Sequence, residues 1–90
     1  MKISNPDIIQ LTQIKLYFLE PPLTFKLHTY AHEQLVNCIA VLKKYPFVKE
    51  SDIQMLETLQ KQTEDKSISL AELKVKLKQA GILIANLTGR

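Results

Sequence analysis

Ninety residues supply one hydrophobic core and no second domain, since typical domains use about 100–150. With 46% hydrophobic and 23% charged residues the composition is globular rather than disordered, and the net charge of +3 permits nucleic-acid contact without demanding it. Lys15, Lys26, Glu33 and Lys43 break the apolar runs before any reaches the ~20 residues of a membrane span, and with only two glycines the tight turns of a strand-rich fold lack their usual residue.

The expectation is therefore an all-α domain, a small bundle of three or four helices covering residues 1–90. A lone cysteine, Cys38, forms no internal disulfide. Met1-Lys2 is followed by Ile3-Ser4-Asn5-Pro6-Asp7 rather than an apolar run, so a cytoplasmic protein is expected.

The first helix is predicted from Pro6 to Glu20. Asn5 is a good N-cap, Pro6 loses nothing at the first helical position, and Asp7 faces the positive dipole end. Pro21-Pro22 stops it. Residues 14–18, Ile-Lys-Leu-Tyr-Phe, alternate in polarity and fit a short strand as well as a helix. The second helix is predicted from about Thr24 to Tyr45, with Ala31, Leu35, Cys38, Ile39, Leu42 and Tyr45 along one stripe. Pro46 ends it, and Phe47 and Val48 read as core plugs.

A third helix is predicted to open at Ser51, which forms a capping box with Gln54, and to present Ile53, Leu56 and Leu59 inward. The polar run from Gln60 to Lys66 reads as a frayed connection. Ser69 and Glu72 form a second capping box, with Ile68 and Leu73 as a hydrophobic staple. Leu70, Leu73, Leu77 and Ala80 make the buried stripe of the fourth helix, Gly81 is placed to end it, and residues 82–87 follow as an apolar tail.

Chemistry is sparse. His28 and His32, four residues apart, would share a helical face and could hold a metal, but a third ligand is missing: Cys38 points well away from the pair, and both rings serve equally well beside the packing stripe. Cys38 lies between Leu35 and Leu42 on the apolar stripe, where burial quiets a thiol. No glycine-rich phosphate loop or H-E-x-x-H pair is present, so neither an enzyme nor a cofactor is expected.

Charge and apolar surplus say more. From Lys66 onward, Lys66, Lys74, Lys76, Lys78 and Arg90 face only Glu72, an excess of four positive charges, whereas residues 51–65 carry an excess of three negative ones. Lys66, Lys74, Lys78 and Arg90, with Lys43-Lys44 as a further basic pair, are the candidates for nucleic-acid contact. A solvated helix face opposite Leu73 and Leu77 accounts for them equally simply. Residues 69–82 resemble the first helix of a SAP-type nucleic-acid-binding motif, which implies a second helix after Gly81. Residues 68–72 resemble the close of an EF-hand loop, with Glu72 as last calcium ligand, although Lys61 stands where the first aspartate belongs and Lys66 where the glycine belongs.

The first helix offers Ile8, Ile9, Leu11, Ile14, Leu16, Phe18 and Leu19, more than one side of a small bundle can hide. Either it sits in the middle of the bundle or part of that surface meets a partner. The leading expectation is a non-catalytic interaction or regulatory module that binds another protein or itself, a homodimer, through Ile9, Leu16, Phe18, Ile82, Ile84 and Leu87.

Overall fold

The computed structural model describes residues 3–22 and 26–89. Four helices follow one another: α1 (Asn5–Leu19), α2 (Leu27–Leu42), α3 (Glu50–Asp65) and α4 (Leu70–Thr88). Residues 14–18 belong to α1, and no strand occurs among the described residues. The alternation there resolves with helical period: Ile14 and Phe18 are buried one turn apart while Leu16 points outward.

Helix α1 starts one residue earlier than expected, with Ser4 rather than Asn5 at the extended N-cap and Pro6 within the first turn. Its start is tied to the far end of α2. The Asp7 carboxylate lies 3.0 Å from Lys44 Nζ and accepts from the Tyr45 hydroxyl, which in turn accepts from the Ser4 backbone N–H at 3.0 Å. These bonds, first the one from Tyr45 and then the one from Lys44, hold the Asp7 carboxyl below its ordinary pKa.

Helix α2 buries Ala31, Leu35, Cys38, Ile39 and Leu42 of the predicted stripe, with Leu27 and Val41 added; it ends at Leu42 rather than Tyr45, which lies beyond the helix and packs half-buried against the core. Helix α3 departs from expectation at both ends. It starts at Glu50, with Lys49 as N-cap and no side-chain cap bond, so the Ser51–Gln54 capping box is not formed. Glu50 and Asp52 in the first turn supply favourable dipole charge instead. Nor does it fray at Gln60: it continues to Asp65, with Thr63 buried and donating to Gln60 O at 2.6 Å. Lys66 closes it in the left-handed region, φ 53°, where its N–H and that of Ser67 both reach Gln62 O.

Ser69 caps α4 as predicted, its hydroxyl accepting from Glu72 N at 3.2 Å, and Ile68 and Leu73 are both buried. Gly81 does not end α4. The helix runs on to Thr88, and Gly89 at φ 75° provides the left-handed cap. Residues 82–87 are thus helix rather than tail, and the second helix implied by the SAP-type resemblance does not form. Leu70, expected in the buried stripe, stands 41% exposed at the first turn.

Packing explains Gly81. A Cβ there would lie 2.8 Å from Leu19 Cδ2 and 2.9 Å from Leu19 Cγ, so the missing side chain admits the end of α1. Leu19 meets Gly81 while Glu20 and Pro21 lie beside Ala71, Lys74 and Val75, which makes α1 and α4 antiparallel. Helix α2 is likewise antiparallel to α3, His28 reaching Ile68 and His32 reaching Gln60. The α1/α4 pair forms one layer and the α2/α3 pair the other. Between them Leu11, Phe18, Leu27, Leu35, Leu42, Leu56, Leu73, Leu77 and Ile84 are wholly buried. Val48 plugs the α2–α3 connection and Phe47 packs half-buried beside it.

Candidate interaction surface on α1 and α4

The two-layer arrangement sorts the apolar surplus of α1. Leu11, Ile14 and Phe18 face the second layer, whereas Ile9 and Leu16, two turns apart, point almost directly away from it, 62% and 60% exposed. On α4 the core takes Leu73, Leu77, Ala80 and Ile84, and Val75 and Ile82, again two turns apart, stand outward at 57% and 53%. The helices are neighbours in one layer, so all four side chains share its outer face.

Of the six residues expected to meet a partner, Ile9, Leu16 and Ile82 lie on this face. Phe18 and Ile84 do not: both have no exposed surface and belong to the core, because each falls on the inward side of its helix. Leu87 is half-buried and packs against the core from the last turn of α4. Val75 was missed. Its signal was available in the spacing, since Val75 and Ile82 repeat the seven-residue interval of Ile9 and Leu16.

A groove of about 480 Å³ opens beside this face, lined by Leu19, Glu20, Pro21, Ala71, Lys74, Val75 and Lys78. Its origin is a mismatch of ends. Leu19, the last residue of α1, packs against Gly81, eleven residues into α4, and Pro21 and Pro22 carry no helix onward, so no helix lies beside the first turns of α4 on that side.

Lys74 and Lys78 stand one turn apart on the groove wall, exposed, and among the described residues no carboxylate pairs with either. Lys76 projects roughly 200° away from Lys74 and takes no part in the groove. Lys66 closes α3 and is not among the lining residues. Lys43 pairs with Glu57 at 3.1 Å and Lys44 with Asp7 at 3.0 Å, so both are partly neutralised. Arg90 lies outside the described residues.

The histidines tie α2 to the α3–α4 connection and to α3. His28 Nε2 donates to Ile68 O at 2.7 Å, and His32 Nδ1 lies 3.3 Å from Gln60 O, each tying its ring to a main-chain carbonyl. Among the described residues no group of three His, Cys, Asp or Glu side chains gathers into a metal site. Cys38 is wholly buried, and desolvation pushes its thiol up to about 12, so the nucleophilic thiolate is suppressed at neutral pH. No described helix is long and apolar enough to cross a membrane. No family model, curated protein or solved structure matches the chain.

Proposed function

We propose that this chain is a non-catalytic protein-interaction module whose contact surface is the outer face of α1 and α4. The observation that carries the reading is the exposure of Ile9, Leu16, Val75 and Ile82 on one face of one layer, each more than half exposed. Scattered apolar residues need no explanation, but four at matched two-turn spacing on the outward sides of two adjacent helices are an arrangement that a partner would cover.

The energy available sets the kind of contact. Covering a half-exposed Leu, Ile or Val returns about 1 kcal/mol, so the four together return about 4 kcal/mol. Association itself costs about 4 kcal/mol or more, so the stripe alone supports a reversible contact and needs polar partners for tighter binding. Such a module suits a regulatory role in the cytoplasm, where an unpaired cysteine remains reduced.

Leu16→Lys combined with Ile82→Lys tests the reading, because both sites are exposed and the fold should tolerate the change. Wild-type protein is expected to bind a hydrophobic fluorescent dye or to gain mass by light scattering with rising concentration. The double variant should keep its melting temperature and lose both behaviours. Equal dye binding and equal mass for the two proteins would remove the support for this surface.

Nucleic-acid binding through Lys66, Lys74, Lys78 and Arg90 is a second reading, favoured by Lys74 and Lys78 having no carboxylate partner among the described residues. It requires affinity for DNA or RNA that falls steeply with salt, since each neutralised phosphate releases counterions.

A further inference from the structure

We propose that the groove between the overhanging start of α4 and the end of α1 receives an amphipathic helix of another protein, one whose apolar stripe is flanked by acidic side chains. The inference rests on the interaction-module reading and specifies the occupant of its surface.

Shape is the first argument. Two packed antiparallel helices present a long furrow, and a third helix laid along it inserts side chains at i, i+3, i+4 and i+7. Here Leu19, Pro21, Ala71 and Val75 give the groove an apolar lining, and Leu16 and Ile82 stand exposed on the same two helices. Ala71 and Pro21 are short, so an incoming leucine meets space rather than a side-chain wall.

Charge is the second. Lys74 and Lys78 border the apolar floor without a carboxylate partner among the described residues, and only Glu20 opposes them on the lining. An acidic helix would supply the missing partners, adding steering and specificity to an apolar contact that is weak alone. Lys–carboxylate pairs at such a rim contribute little individually, so their effect should show in salt dependence and partner choice.

The same charges argue against the alternatives. In an isologous dimer the same patch is buried on both copies, so two pairs of lysines would enter one interface. The acidic helix α3 of a second copy offers carboxylates but only one exposed large apolar residue, Met55, and so cannot fill the groove. For nucleic acid the lining lacks an aromatic platform, and its floor is apolar where phosphates need donors.

The probe is a fluorescein-labelled synthetic helix about five turns long, with leucines at helical spacing flanked by glutamates, beside a twin carrying lysine at every glutamate. Fluorescence anisotropy is read at ~20 mM and ~200 mM salt, where the Debye length falls from about 20 to 7 Å. The glutamate peptide should bind at least ~10-fold tighter than its twin, about 1.4 kcal/mol, and lose most of that advantage at the higher salt. Lys74→Glu with Lys78→Glu, checked for unchanged helicity, should invert the preference.

Equal binding of the two peptides overturns the acidic occupant while leaving the apolar surface intact. Failure of both peptides, with dye binding still sensitive to Leu16→Lys and Ile82→Lys, overturns this proposal alone. Failure of both peptides together with indifferent dye binding overturns the interaction-module reading too. A salt-insensitive dimer that excludes the peptide assigns the face to a second copy, and tighter binding of a single-stranded oligonucleotide assigns the lysines to nucleic acid. Peptide binding seen only after Leu23→Ser and Phe25→Ser gives the groove to the chain's own connection. Each of these three results refutes the proposal.

Discussion

Gly81→Ala is the sharpest test of how α1 and α4 meet. In an isolated helix the change would stabilise by about 1 kcal/mol, because alanine is the better helix former. In this protein the new methyl lands 2.8 and 2.9 Å from two carbons of the Leu19 side chain, well inside van der Waals contact, while Phe18 Cβ stays at a tolerable 3.4 Å. Overpacking of this kind costs about 1–3 kcal/mol, so the net effect is a loss of about 1 kcal/mol. For a domain of this size that lowers the melting temperature by roughly 4–8 °C.

The clash resides in one side chain, so Leu19→Ala should remove it. In that background Gly81→Ala should stabilise by about 1 kcal/mol, giving a coupling energy of about 2 kcal/mol between the two sites. Urea denaturation followed by far-ultraviolet circular dichroism on the four proteins of the cycle measures it. If the four free energies add to within ~0.5 kcal/mol, Leu19 does not press on Gly81 and the packing argument fails.

Three further outcomes follow from local features. Lys66→Gly should stabilise the protein by about 0.5–1 kcal/mol in a urea titration, because a left-handed φ of 53° burdens a lysine with strain that glycine escapes, less the entropy glycine adds to the unfolded chain. Asp7 has a folded pKa below its unfolded value of about 3.8, so its contribution is present above pH 3.8 and lost as pH falls through the lower folded pKa. Asp7→Asn should therefore flatten the acid limb of a stability-versus-pH curve, and an unchanged limb would contradict the Tyr45–Lys44 arrangement. Cys38, buried and raised to about 12, should react with an aromatic disulfide reagent no faster than the protein opens, and prompt reaction in the native state would contradict its burial.

Much of the fold was legible from local chemistry. The Ser69 cap, the stop of α1 before Pro21 and the α2 stripe from Ala31 to Leu42 depend on residues within a turn or two of one another and form as read, whereas Pro6 sits one position deeper in its helix and Tyr45 falls outside its own. The capping box at Ser51 looked equally good in sequence yet does not form, since the chain enters α3 at Glu50 and leaves Ser51 inside the first turn. Gly81 shows the same limit: a glycine near the end of an apolar run reads as a cap, and only the approach of Leu19 from α1 shows that its lack of a side chain is used sideways.

The surface divides along the same line. Composition and periodicity alone required more apolar residues on α1 than one face of a helix can bury, and so required either a central position or an exposed stripe. Which residues form the stripe is a tertiary matter. Phe18 and Leu16 are equally apolar and two positions apart, but a helix turns about 200° between them, and only the pairing of α1 with α4 decides which side meets the core. The groove and its two exposed lysines arise from the register of two helices distant in the chain, a quantity that no local pattern encodes.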